Sequence, residues 1–234
     1  MSLAERDVVL RELMDDPDCD PEQLRATLRR FDTINRLVSG WGAVYRTRVR
    51  PYLTSLDRAA PRVLDLGCGG GDVITHLARR AERDGLRAEW VGVDPDPRAI
   101  GVAAERDAPA SVRFQCTDST RLLADGERFD LVVSNHVLHH LGSEELDAFA
   151  DESRRLSRGV VLHGDIERGR IAYALYTIGI TPFAPGTFLR TDGLRSIRRS
   201  YRGAELAAVL GDGWRVDKPV WFRVLATADG TADD

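Results

Sequence analysis

Cysteine is scarce in this chain. Cys19, Cys68 and Cys116 lie far apart, form no CxxC pair and leave an odd one over, which excludes a disulfide framework and suits a reducing compartment. Long apolar runs are missing too: the most apolar stretch, residues 171–180, is far too short to span a bilayer. No cationic segment with an apolar core opens the sequence. Charge is not skewed either. Thirty-three Lys and Arg face 37 Asp and Glu for a net charge of -4, with the basic residues scattered in small groups, so the footprint of a nucleic-acid binder is absent. The expectation is a cytoplasmic protein, monomer or homodimer, with a small-molecule partner, no nucleic acid and no stable membrane insertion. What is present is 234 residues, 43% hydrophobic, enough for one domain with a sizeable core.

Residues 3–15 and 21–39 read as helices broken by Pro17 and Pro21, and a third helix is expected over 41–56, kinked at Pro51. From Arg62 strands and helices alternate. Strands are expected at 62–66, 88–93, 112–116, 129–134 and 159–162; helices follow at 72–83, 97–106, near Arg121 and at 143–156. This rhythm predicts an α/β fold with a parallel sheet covered on both faces. The rhythm then lapses into an apolar helix within 165–181, a Pro/Gly-rich loop at 182–187 and a helix at 204–210. Strands at 214–217 and 220–226, parted only by Lys218-Pro219, predict a terminal hairpin. The expected organisation is an N-terminal helical lid at 1–57, a main domain at 58–228 with a cap inserted at 165–201, and a disordered tail at 229–234.

The segment Val63-Leu64-Asp65-Leu66-Gly67-Cys68-Gly69-Gly70-Gly71-Asp72 is a buried strand entering a glycine-rich turn before a helix. Glycines permit positive φ and close ligand approach, and the free N–H groups opening the helix face that ligand. A dinucleotide fingerprint would need glycine where Asp72 stands, and a carboxylate there repels a pyrophosphate. Asp94 ends the next strand, where it can accept ribose hydroxyls, and Asp118 follows the third, where it can accept an adenine amine. Three acidic residues at successive strand ends suit an adenosine ligand that is cationic and lacks phosphate.

On Asp65-x-Gly67-x-Gly69-x-Gly71, Asp94, Asp118-Ser119 and Ser134-Asn135, the chain resembles the class I S-adenosylmethionine-dependent methyltransferases over roughly residues 62–227. The resemblance implies a Rossmann-like, seven-stranded, mostly parallel sheet with its last strand antiparallel. It implies S-adenosylmethionine as cofactor, S-adenosylhomocysteine as product, and a cofactor set of Asp65, Gly67, Cys68, Gly69, Gly71, Asp94, Pro95, Asp118, Ser119, Ser134 and Asn135. Asp65 and the glycine backbone would hold the methionyl end, Asp94 the ribose and Asp118 the adenine.

His136, His139, His140 and His163 fall at the ends of the fourth and fifth strands, where open α/β sheets bind ligands, with Asp165 close behind. Methyl transfer to a hydroxyl asks for alignment and for a base. The string Ser134-Asn135-His136-Val137-Leu138-His139-His140-Leu141 resembles the corresponding segment of small-molecule O-methyltransferases that use a histidine there. His139 or His140 is thus the expected base, with Asp165 orienting it or sharing the role; His136 and His163 are expected to line the acceptor pocket. Metal ligation by His136, His140, His163 and Asp165 is the competing chemistry; the spacing fits no HxxxH or facial triad, and no metal is expected. Residues 165–173 and 192–201 resemble ubiquinone/menaquinone-type and polyketide-tailoring methyltransferases, implying a phenol, quinol or pyrone hydroxyl as acceptor. Tyr173, Arg198 and, from the N-terminal helices, Tyr45 are candidate acceptor contacts. A C-methyltransferase and a non-catalytic cofactor-binding module are the alternatives.

Overall fold

A computed structural model describes residues 3–232, and these form one seven-stranded sheet in the order β3-β2-β1-β4-β5-β7-β6. The strands are β1 (Arg62–Leu66), β2 (Glu89–Asp94), β3 (Val112–Cys116), β4 (Phe129–Asn135), β5 (Ser157–Ile166), β6 (Trp214–Asp217) and β7 (Arg223–Asp229). The first five run parallel, and β7 is antiparallel to both β5 and β6. The helices are α1 (Pro21–Val38), α2 (Trp41–Val44), α3 (Arg50–Ser55), α4 (Asp72–Arg83), α5 (Pro97–Ala104), α6 (Ser119–Ala124), α7 (Ser143–Leu156), α8 (Arg170–Gly179), α9 (Leu189–Arg199) and α10 (Gly203–Leu210). The expected seven-stranded, mostly parallel sheet with its last strand antiparallel is thus the one observed.

Both faces of the sheet are covered, so its central strands are mainly apolar on both faces rather than alternating, with Asp65, Asp130 and Ser134 the buried polar exceptions in β1 and β4. Val63 of β1 packs with Trp41, Tyr45 and Leu77 from α2 to α4, while Leu64 and Leu66 pack with Leu122, Phe129 and Leu156 on the other face. Strand order reverses between β1 and β4. Connections leave these neighbours in opposite directions, opening a crevice at their carboxyl ends. Helix starts are set locally: Asp20 caps α1 by accepting the Glu22 and Gln23 N–H groups, and Asp96 caps α5 by accepting that of Arg98. Among the described residues no helix is long and apolar enough to cross a membrane.

Several expectations are corrected. Residues 3–20 form no helix; they run as a strap across α9. Asp7 exchanges contacts with Arg198, Asp192 accepts the Leu13 and Met14 N–H groups at 2.8 and 3.0 Å, and Arg98 binds the Met14, Asp16 and Pro17 carbonyls. The Asp15-Asp16-Pro17 sequence favours turns over a helix end. The third helical stretch is continuous, but a π turn at Tyr45–Val49 precedes Pro51, widening the helix where the proline ring would meet a carbonyl. β5 runs on through Ile166, so Asp165 lies within the strand. The hairpin loop spans 218–222 because Phe222 takes φ 63° and β7 starts at Arg223. Residues 189–199, read only as cap, form α9, whose Gly193 admits the Tyr176 hydroxyl where a Cβ would lie 2.1 Å from it. Asp229 ends β7, and the N–H groups of Gly230, Thr231 and Ala232 bond to Gly159, Arg154 and Ser157, so the expected disordered tail is ordered to 232; residues 233 and 234 lie outside the described residues.

His163 illustrates how the sheet and α7 are joined. Its ring is fully buried, its nitrogens 2.8 Å from the Ser134 hydroxyl and 2.9 Å from that of Ser153, and it stacks on Trp214. Burial lowers its pKa to about 3, so between that value and the unfolded value of about 6.5 the unfolded chain binds the extra proton. Its contribution to stability is therefore complete above about pH 6.5 and is lost as pH falls toward 3. Replacing it with non-titrating glutamine, His163→Gln, is expected to flatten the acid limb of the melting temperature between pH 6.5 and 4, relative to wild type; parallel acid limbs would contradict the neutral buried ring.

Candidate active site

The turn after β1 is built by three glycines with positive φ, Gly67 (70°), Gly69 (54°) and Gly71 (75°). At Gly67 a Cβ would also lie 2.6 Å from Val137, so only glycine serves there. The Gly67 and Cys68 N–H groups bond to the Val93 carbonyl at 2.9 Å each. Asp94, at the end of β2, accepts the Gly69 N–H through one oxygen and the Asp96 N–H through the other, both at 2.9 Å. The ends of β1 and β2 are thereby locked together.

Two more carboxylates lie beside this turn. Asp72 opens α4 and accepts a 2.9 Å hydrogen bond from Asn35 of α1. Asp65 is only 1% exposed, and its Oδ1 has no hydrogen-bond partner. Burial, then the neighbouring Asp72 and Asp94 carboxylates, push the Asp65 carboxyl well above the usual range. Burial also raises Asp72 and Asp94, against hydrogen bonds that pull each of them down. Three partly uncompensated carboxylates around one turn form a receptor for positive charge and hydroxyl donors, and a poor one for phosphate.

Asp65, Gly67, Cys68, Gly69, Asp72, Asp94, Pro95, Asn135, His136, His139 and His140 all line one cavity of about 1180 Å3. That exceeds the common range of roughly 300–1,000 Å3 for a single ligand site and leaves room for a second molecule beside a nucleoside. Its wall is mainly apolar, with Leu28, Ile34, Tyr176 and Ile180 among the contributors.

The other end of the cavity is an ionic network. His139, on the turn Leu138–His140, places Nδ1 2.8 Å from Asp165 Oδ1 and donates its backbone N–H to Asp165 Oδ2 at 2.9 Å. Its Nε2 lies 3.2 Å from Glu12 Oε1, which also accepts the Ser196 hydroxyl at 2.7 Å. Burial alone would lower the His139 pKa, but the flanking Asp165 and Glu12 carboxylates outweigh it and raise it to about 9. In return, despite burial, His139 holds Asp165 and Glu12 below the usual carboxylate range. His140 is the accessible ring, its side chain 29% exposed, with Nδ1 3.3 Å from Asp15 and Nε2 3.9 Å from Glu12. His136 takes φ 63°, and its Nε2 accepts from Arg223, 2.6 Å away, which also donates to Asn135. Burial and then the Arg223 charge hold this imidazole well below its ordinary pKa, in the neutral form.

The remaining expected site residues lie elsewhere. Asp118 is the N-cap of α6, its Oδ1 accepting the Arg121 N–H, and Ser119 bonds Glu152; neither lines the cavity. Ser134 is turned to His163, which is enclosed by Phe149, Trp214 and Ser153, so the four groups weighed as metal ligands do not converge. Tyr45 is buried against α4 with its hydroxyl on Asp84, Arg198 pairs with Asp7, and Tyr173 and Gly71 are outside the lining. Conversely, Glu12, Asp15, Ser196 and Arg223 belong to the site without having been singled out. The first two were assigned to a helix, and Arg223 to the middle of a strand; the acidic Asp15-Asp16-Pro17 turn was the one signal for them.

Residues 63–159 match the family model described as a methyltransferase domain. The ubiquinone biosynthesis O-methyltransferase of Azorhizobium caulinodans is 35% identical over 120 residues, covering 50% of this chain and 45% of that protein. The protein of the same name from a Methylobacterium species is 33% identical over 158 residues, covering 65% and 59%. The chain thus spans about half the length of the curated relatives it matches. Among solved structures, the plantazolicin methyltransferase BpumL in complex with SAH superimposes with a TM-score of 0.60 at 11% identity, over 89% of this chain and 96% of that one. The magnesium protoporphyrin IX methyltransferase ChlM of Synechocystis PCC 6803 with bound SAH gives 0.53 at 19% identity, over 82% and 84%.

The orphaned Asp65 oxygen makes a prediction for the ligand-free protein. Asp65→Asn removes a buried charge without changing shape and is expected to stabilise the free protein by about 1–3 kcal/mol at pH 8. Because the folded-state pKa is raised, wild type loses stability as pH climbs through that pKa, so the advantage of the variant should shrink toward acid pH. Melting curves of both proteins from pH 5 to 9 check this; a destabilised variant at pH 8 would show that Asp65 is compensated.

Proposed function

We propose that the chain is a class I S-adenosylmethionine-dependent methyltransferase, a reading supported by its fold and by the methyltransferase-domain match at residues 63–159, and that it methylates a hydroxyl of a small aromatic, quinol or polyketide-like acceptor. The observation that carries the reading is the joining, in one cavity, of a carboxylate-rich glycine turn and an imidazole–carboxylate network. The orphaned Asp65 oxygen and the unhindered glycine backbone suit the ammonium and sulfonium charge of the methionyl end. Asp94, whose oxygens each keep a lone pair, would take the ribose hydroxyls. S-adenosylmethionine would supply an electrophilic methyl group. Asp118 caps α6 through one oxygen and does not line the cavity, whereas Pro95 and Ala99 would offer the adenine an apolar wall.

The chain's own part in the reaction is to bind, exclude water and take a proton. His139 is clamped between two carboxylates and donates to both, so it cannot accept a proton in this arrangement. Its work is positional: with Asp165 it fixes the turn that carries His140. His140 faces the cavity with Asp15 on its outer nitrogen, the arrangement in which a base is oriented and its cationic form stabilised. The names of the matched ubiquinone biosynthesis O-methyltransferases favour oxygen as the methylated atom.

The expected result is one S-adenosylhomocysteine bound per chain by calorimetry, weakened about 10- to 100-fold in Asp94→Ala through loss of charge-assisted hydrogen bonds; unchanged affinity removes Asp94 from the site. With an acceptor found by screening phenols, quinols and pyrones by mass spectrometry, His140→Ala is expected to lower kcat by about 10²- to 10⁴-fold with the S-adenosylhomocysteine Kd intact. Product carrying the new methyl on carbon would overturn the hydroxyl assignment.

A further inference from the structure

Glu12, His139 and His140 are the one group of three or more potential metal ligands among the described residues with donor atoms all within 4.8 Å of one another. We propose that these three side chains bind a divalent transition metal of the zinc class at the acceptor end of the cavity. Glu12 Oε1 lies 3.2 Å from His139 Nε2 and 3.9 Å from His140 Nε2. Ligand atoms about 2.0–2.1 Å from a common tetrahedral or octahedral ion stand about 3.0–3.4 Å apart, so the first pair is already in register and the second needs a shift of about half an ångström.

Each ring is prepared by a carboxylate on its outer nitrogen. Asp165 holds His139 Nδ1 at 2.8 Å and Asp15 holds His140 Nδ1 at 3.3 Å. A ligating imidazole is characteristically held in this way, because the carboxylate fixes the tautomer that leaves Nε2 for the metal. The two rings lie side by side, centroids 4.2 Å apart, and the Ser196 hydroxyl orients the Glu12 carboxylate. Two imidazoles and one carboxylate form a donor set used by catalytic zinc. All three side chains line the cavity, which leaves the remaining coordination positions to an acceptor oxygen or water.

Charge argues the same way. Three carboxylates, Glu12, Asp15 and Asp165, contact the two rings, and of these Asp15 is also paired with an arginine, Arg199; a dication in place of the shared proton neutralises more of this charge. Occupancy of the site does not rest on the proposed reaction. Its use there does: a bound acceptor hydroxyl would lose its proton to solvent and enter transfer as the oxyanion, with His140 a ligand instead of the base. The loss of turnover in His140→Ala is common to both schemes, and metal binding separates them.

The test is titration of the chelator-treated full chain with Co2+, followed by visible ligand-field absorption and calorimetry. One equivalent is expected, displaced by Zn2+, and weakened at least 10-fold in Glu12→Gln and in His140→Gln. Asp165→Asn, which touches no metal, is expected to weaken it about 10- to 100-fold. S-adenosylhomocysteine affinity, measured in the same variants, reports whether the fold and the cofactor end survive; loss of Co2+ binding with that affinity retained supports the site. Absence of stoichiometric Co2+ binding, or binding unchanged in Glu12→Gln and His140→Gln, overturns it and leaves an ion-pair network, while the cofactor reading stands on the S-adenosylhomocysteine titration alone.

Discussion

The contact on which the rest of the site depends is the hydrogen-bonded pair of Asp165 and His139, both buried. A carboxylate so far from water is tolerable only with a cation and full hydrogen bonding. His139 provides both, through ring and backbone, but then presents a second N–H that must also be met. Glu12 meets it, and the strap is drawn over the cavity as a consequence. Ser196, Asp192 and Arg199 on α9 hold the strap in place, so one buried charge in β5 organises the turn after β4, the N-terminal segment and the cap helix.

The glycine turn shows the opposite economy. Asp65, Asp72 and Asp94 are grouped with too few partners of their own, so the free protein carries electrostatic strain that a cationic, hydroxyl-bearing ligand relieves. The two ends of the cavity therefore differ in kind. At one end the carboxylates are paired with histidines and arginine of the chain itself; at the other they are left with fewer partners and are completed by what binds there.

Much of the central sheet was legible in the sequence because its signals are local. A strand apolar on both faces, a glycine turn and an amphipathic helix announce themselves within a few residues, and β3, α4 and α7 fall where the periodicity places them. Asp94 was legible from its place at a strand end. Asp118 is less legible, because a helix cap and an adenine contact leave the same mark on a sequence, and the structure shows the cap. The histidines could not be sorted at all from spacing: His136, His139 and His163 differ in Arg223, Glu12 and Ser153, partners that only the folded chain supplies. The strap is hidden because its helix-like spacing of leucines and valines is not used for packing: Val8, Val9 and Leu13 are exposed, and Arg6, Asp7 and Glu12 anchor an extended segment instead; α9 is hidden because Gly193 masks a helix whose close packing on Tyr176 requires it.

The separation of Glu12 from His139 along the chain, 127 residues, has a consequence for how the molecule is made. A contact of that span carries a large loop-closure cost and rewards it late, after the local βα units have formed. During synthesis the strap leaves the ribosome long before the turn it must cover, and the histidines and β5 emerge only after the cofactor end has been translated. The glycine-turn end can thus be in place while the histidine end is still open, which makes closure of the strap the step at which the cavity is completed.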